Sequence, residues 1–132
     1  MDGKVTLAEL MPAGERAVFF GALRGEEARH FERVRADLQA RIDAMPRTYE
    51  TAGKEDPFAC LHYFRGGGDW YIVELDREAE QYQAFGLADP FGDGGEFGYI
   101  SIVELVANGV ELDLYFTPVR LSQLRQASNK QP

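Results

Sequence analysis

Few side chains in this sequence could carry chemistry: it has two histidines and one cysteine, set against twenty-two acids. His30 falls among the charges of a helical stretch, and His62 and Cys60 fall in an apolar strand. No nucleophile–base pair is marked by spacing. A lone histidine in such a strand reads as a packed, hydrogen-bonded residue, and Cys60 reads as a small core hydrophobe. One cysteine excludes an internal disulfide and any multi-cysteine zinc site, so a metal would have to sit among carboxylates. Asp89, Asp93 and Glu96 lie in the glycine loop ADPFGDGG and its end, with oxygens of the kind calcium or magnesium takes. Their spacing lacks the alternate-position acids of an EF-hand, and a solvated turn is expected. Glu74, Glu111 and Asp113 lie on strands among aromatics, where two carboxylates with separated pKa values would make an acid and a base, and the expected reading is the wet face of a sheet. Trp70, Tyr71, Tyr99 and Tyr115 are candidates for a ligand groove, although the aromatics of a small domain mostly fill its core. The glycines at 66–68 and 94–95 do not lead into a helix as a phosphate cradle requires, and Asp69 and Glu96 beside them oppose an anion.

Charge narrows the partner. The formal net charge is −8 over 132 residues. Residues 1–44 hold eight acids and seven bases, residues 45–118 fourteen and four, and residues 119–132 none and three. A middle segment of −10 repels phosphate backbones and attracts basic protein surfaces. At 45% hydrophobic residues the chain has the composition of a globular domain, and its apolar runs fall short of the roughly 20 residues that span a bilayer. The N-terminus lacks the order of a signal peptide, and the expected location is the cytoplasm.

One hairpin should organise the fold. In DPFACLHYFRGGGDWYIVEL, residues 56–75, two aromatic and β-branched runs flank Arg65-Gly66-Gly67-Gly68. A loop centred between Gly66 and Gly67 pairs His62 with Tyr71 and Cys60 with Val73. Phe58, Cys60, His62, Phe64, Tyr71, Val73 and Leu75 then share a face, expected to be the core. Leu61, Tyr63, Trp70, Ile72 and Glu74 share the other, which is too apolar for open water and needs a cover, expected from Phe31, Leu38 and Ile42 of the long N-terminal helix. Upstream, Thr6 to Glu9 fits a capping box, Glu15 to Leu23 a short helix, and Glu26 to Ala44 a long one with Phe31, Val34, Leu38 and Ile42 at helical spacing. Its charged face, Arg29, Glu32, Arg33, Asp37 and Arg41, is expected in solvent. Downstream, Tyr82 to Leu87 reads as a strand in which Gly86 marks a bulge or a close backbone approach. Phe97 to Ile100 reads as another. A helix capped by Ser101 and closed at Asn108-Gly109 follows, and VELDLYF, residues 110–116, alternates as a half-buried strand. Leu121 and Leu124 suit a short terminal helix.

Several words recur in order: Pro46, Tyr49-Glu50, Asp56-Pro57, Tyr63-Phe64, Asp69-Trp70-Tyr71-Ile72-Val73-Glu74, Ala84-Phe85-Gly86, Glu96-Phe97-Gly98-Tyr99-Ile100-Ser101, Glu104-Leu105, and Glu111-Leu112-Asp113-Leu114-Tyr115-Phe116-Thr117-Pro118. On these, residues from about 45 to 125 resemble the bacterial family known as domain of unknown function 2958, carried by plasmids, phages and integrative elements. The resemblance implies a small α+β module of a mobile element, with no assigned activity. Residues 1–44 lie outside it, as a cap or a partner-binding extension.

The expectation is one α+β domain. A mainly antiparallel sheet of four to five strands, drawn from residues 58–116, packs against the long N-terminal helix and the helix after Ser101. The expected function is that of a non-enzymatic accessory protein acting by protein–protein interaction, its acidic face imitating DNA phosphates in the basic groove of a host-defence or DNA-processing protein. The alternative is a carboxylate-based, metal-dependent hydrolase or nuclease. Candidate partner-binding residues are Glu50, Trp70, Glu74, Asp76, Glu78, Glu80, Tyr99, Glu111 and Asp113. No catalytic residue, metal ligand or cofactor is assigned, and neither nucleic acid nor membrane is an expected partner.

Overall fold

The Gly66-Gly67 turn, with Gly66 at φ +56°, folds two strands of the chain onto each other. In the computed structural model, which describes residues 5–47, 49–76 and 83–124, the elements run in chain order. A 3-10 turn (Leu7–Leu10) precedes α1 (Ala13–Ala22) and α2 (Ala28–Ala44). Then come β1 (Phe58–Ala59), β2 (Leu61–Arg65), β3 (Gly68–Leu75), β4 (Gln83–Asp89), β5 (Glu96–Ser101), α3 (Ile102–Ala107), β6 (Glu111–Leu112) and β7 (Val119–Arg120). The fold class is α+β: an antiparallel five-stranded sheet in the order β5-β4-β3-β2-β6, with a separate β1–β7 ribbon.

His62 pairs with Tyr71 as the loop length predicts, but the ladder ends at Leu61. Cys60 does not reach Val73; its N–H donates to Ile72 O instead, and the first strand is broken in two. Its leading piece, β1, leaves the hairpin to pair with β7, where Arg120 stacks its guanidinium 4.6 Å from the Phe58 ring centre. Asp56 accepts from the Ser122 N–H and hydroxyl, and those bonds hold its carboxyl below the usual range.

The expected core face is buried only at its end, where Val73 and Leu75 are inaccessible; ahead of the bulge the other face is the core. Leu61, Tyr63 and Ile72 are fully buried in the main core with Leu38, Ile42, Leu7, Leu10 and Phe19, whereas Phe58 and Phe64 are exposed and His62 and Cys60 only half-buried. The helices take the Leu61 face, where Leu38 and Ile42 meet Leu61 and Ile72 and Phe31 and Trp70 pack alongside, as the need of both apolar surfaces for a cover predicts. The Tyr63 hydroxyl donates to Leu10 O at 2.6 Å, and Gln39 on α2 bonds both Leu7 N–H and Val5 O, fixing the N-terminal turn against helix and sheet. Glu9 Oε1 accepts from both the Thr6 N–H and the Thr6 hydroxyl, the glutamate half of the expected capping box.

A bulge between Ile72 and Glu74 changes the alternation of β3. Ile72 and Leu75 lie three residues apart, yet both belong to the core. Gly86 stands opposite Ile72 there, and a Cβ on it would lie 1.9 Å from Tyr71 O. This is the close approach that a glycine in a strand signals. The Ser101 hydroxyl caps α3 by accepting from Glu104 N–H, and Gly109 closes it at φ +73°.

VELDLYF is not the long strand its alternation suggests. Only Glu111 and Leu112 pair, with Phe64 and Tyr63. Asp113 then accepts from the Tyr115 N–H with its own side chain, an Asx turn that takes the chain out of the sheet. The charged face of α2 is also not wholly solvated. Arg29, Glu32, Arg33 and Asp37 are exposed, but Arg41 donates to Phe116 O at 2.7 Å and pins this turn.

Candidate functional site

Residues paired directly across an antiparallel sheet project from the same face, so the registers define what the side away from the core presents. Three rows cross it. The first is Glu111 on β6, Phe64 on β2, Asp69 on β3 and Asp89 on β4. The second is His62, Tyr71, Leu87 and Phe97, and the third, beyond the bulge, is Glu74, Phe85 and Tyr99. An aromatic band thus has carboxylates along one border. Phe64, Phe97 and Tyr99 are exposed on it.

His62 is the node of this face. Its Nε2 lies 2.7 Å from Asp69 Oδ1 and its Nδ1 3.0 Å from Asp113 Oδ2, while its ring stacks on Tyr71 at 4.7 Å and meets Phe116 at 5.5 Å. Both ring nitrogens are occupied by carboxylates, and the ring braces β2 to β3 and to the turn after β6. The expectation of a packed, hydrogen-bonded histidine holds, but its partners are carboxylates. Burial first, and then the charges of Asp69, Asp89 and Asp113, push the Tyr71 hydroxyl above its ordinary range. Three aspartates therefore converge on one aromatic pair.

The other predicted residues scatter. Glu74 is not on a wet face: it is 4% exposed and accepts from Tyr49 N–H, Thr51 N–H and the Thr51 hydroxyl. The bulge turns it under the 46–57 connector, where it holds Tyr49 at φ +71°, a left-handed conformation rare for a tyrosine. Tyr99 is on the outer face and donates to the Tyr49 hydroxyl at 2.8 Å. Trp70 is not a surface aromatic; it shares a row with Tyr63 and Ala88 and packs half-buried against the core. Glu111 is exposed, Asp113 half-buried, Glu50 exposed with the Arg47 N–H on its carboxylate, and Asp76 half-buried at the end of β3. Glu78 and Glu80 lie outside the described residues.

Asp89 and Asp93 accept from amides of their own loop, the turn geometry expected of them. Among the described residues no group of three or more His, Cys, Asp or Glu is placed to hold a metal ion. Burial pushes the Cys60 thiol up, with Arg41 opposing, the environment of a small core residue rather than of a thiolate nucleophile. Asp69 was missed as a site residue, and its signal was present: with His62 opposite Tyr71, Asp69 is the diagonal neighbour on the same face. The 51-residue separation of His62 and Asp113 left no comparable mark.

Among the described residues no helix is long and apolar enough to cross a membrane. No protein-family model, curated protein or solved structure matches the chain.

Proposed function

We propose that this chain is a non-enzymatic binding module whose outer sheet face receives a basic protein surface. The observation that carries this reading is the row arrangement itself, an exposed aromatic band bordered by Glu111, Asp69 and Asp89, with Asp113 beside His62. Aromatic faces attract lysine and arginine by about 0.5–2 kcal/mol each, and neighbouring carboxylates steer the same groups over a Debye length of about 8–10 Å. Adjacent strands lie about 4.8 Å apart, so Asp69 and Asp89 set two negative charges at close, fixed spacing. Such a row supports imitation of DNA phosphates. The resemblance of residues 45–125 supplies the setting, an accessory protein of a bacterial mobile element facing a host-defence or DNA-processing protein.

The hydrolase alternative draws less support. Of the strand carboxylates named for it, Glu74 is engaged by three donors under the connector and Asp113 by His62. The test is the association kinetics of a partner captured from host-cell extract, at about 0.05 M and 0.5 M salt. Association should slow severalfold at the higher salt, Glu111→Lys should slow it further, and Phe64→Ala should speed dissociation. Duplex DNA should compete for the same partner. A rate indifferent to salt and to both substitutions would sink the reading.

A further inference from the structure

A second feature lies off the outer face. Between α1, α2 and the β6 turn is an open cavity of about 390 Å³, walled by Val18, Phe19, Ala22, Phe31 and Leu114, with Glu15 as its carboxylate and Glu111 at its rim. Val18 stands at its mouth, 75% exposed. The Leu112 N–H donates to Glu15 Oε1 at 2.8 Å, and the second oxygen takes no hydrogen bond from the described residues. A half-buried carboxylate with one oxygen unspent, in an otherwise apolar wall, is complementary to a cation on an apolar stem.

We propose that this cavity receives a lysine side chain of the protein partner, its methylene stem along Val18, Phe19 and Leu114 and its ammonium on Glu15. The inference rests on the protein-binding reading above and adds an anchor to it. A lysine buries its stem and keeps its charge for a carboxylate, which matches the division of this lining into apolar sides and the acids Glu15 and Glu111. Charge complementarity is local as well as global. Burial chiefly holds the Glu15 carboxyl at about 7, the Leu112 N–H opposes, and the negative charges of Glu111 and Asp113 raise it further. Tyr63, whose hydroxyl the Glu15 charge also affects, has that hydroxyl committed to Leu10 O. An arriving ammonium relieves the repulsion among the three acids, and binding takes up the ionised form of Glu15. Affinity should therefore rise with pH through neutrality, by about tenfold between pH 6 and pH 8 for a carboxyl titrating near 7.

The probe is Nα-acetyl-lysine methylamide, titrated into the intact protein while the methyl resonances of Val18 and Leu114 are followed. Its norleucine counterpart serves as the neutral isostere and n-hexylamine as the free amine. The lysine derivative should saturate both resonances, norleucine should bind at least tenfold more weakly, Glu15→Gln should lose about tenfold, and Ala22→Phe should abolish binding by filling the space. Glu15→Gln keeps an acceptor for the Leu112 N–H. If Ala22→Phe fails to fold, that variant and the pH profile decide. Norleucine binding as well as lysine, an unchanged Glu15→Gln, or a flat pH profile would overturn the proposal. So would saturation by n-hexylamine alone, which would make this a free-amine site. The probes need no partner, so failure here leaves the salt-dependent association to be judged separately, and failure of that association leaves this titration readable.

Discussion

Replacing Glu15 with glutamine removes an ionisable group from a place where ionisation opposes folding. In the folded chain its carboxyl titrates at about 7 instead of the ordinary 4.5, chiefly because burial strips water from the charged form. A group raised in this way binds more protons folded than unfolded. Its contribution is complete below about pH 4.5 and is lost as pH rises through 7. The full gap corresponds to at most about 3 kcal/mol. Solvent reaches part of this half-buried side chain, and screening reduces the figure to about 1–2 kcal/mol. Glutamine keeps the hydrogen bond to Leu112 N–H and carries no charge at any pH. The stability of Glu15→Gln relative to the parent should therefore grow by about 1–2 kcal/mol between pH 5 and pH 8. Urea unfolding of both proteins across that range measures the difference directly, because every other titrating group is common to the pair. Parallel profiles would refute the argument and show that solvent hydrates Glu15 as it would in an unfolded chain.

Two further expectations concern the frame that positions these surfaces. Leu38 is 1% exposed within the core shared by α2 and the sheet, so Leu38→Ala should cost about 2–5 kcal/mol in chemical unfolding, and a loss below about 0.5 kcal/mol would mean that α2 is not docked there. Gly86→Ala would set a Cβ against the Tyr71 backbone oxygen, which cannot move without parting β3 from β4; a loss of about 3 kcal/mol or more is expected, and an unchanged melting temperature would argue against the close approach at the bulge.

Local chemistry was legible in the sequence. The glycine turn set the His62–Tyr71 register, Ser101 and Gly109 marked the ends of α3, Leu38 and Ile42 declared the buried stripe of α2, and Gly86 signalled a close approach. In each case the deciding forces act between residues near in sequence, or on a periodicity of one element. The apolar stripe of α2 pointed to the Leu61 face as its seat, but only tertiary structure left the equally apolar His62 face uncovered ahead of the bulge, because among the described residues no second layer docks on it. It also decided the fate of the acids. One extra residue at the β3 bulge sends Glu74 beneath the connector to three donors, and the Asx turn at Asp113 ends the last strand and delivers that carboxylate to His62. Glu15 looks like an ordinary first-turn helix acid until β6, 97 residues away, lays the Leu112 amide on it and closes the apolar wall around it. A charge count fixes how many carboxylates a chain carries. Whether each one meets water, a donor or another charge depends on contacts between distant segments, which the count does not contain.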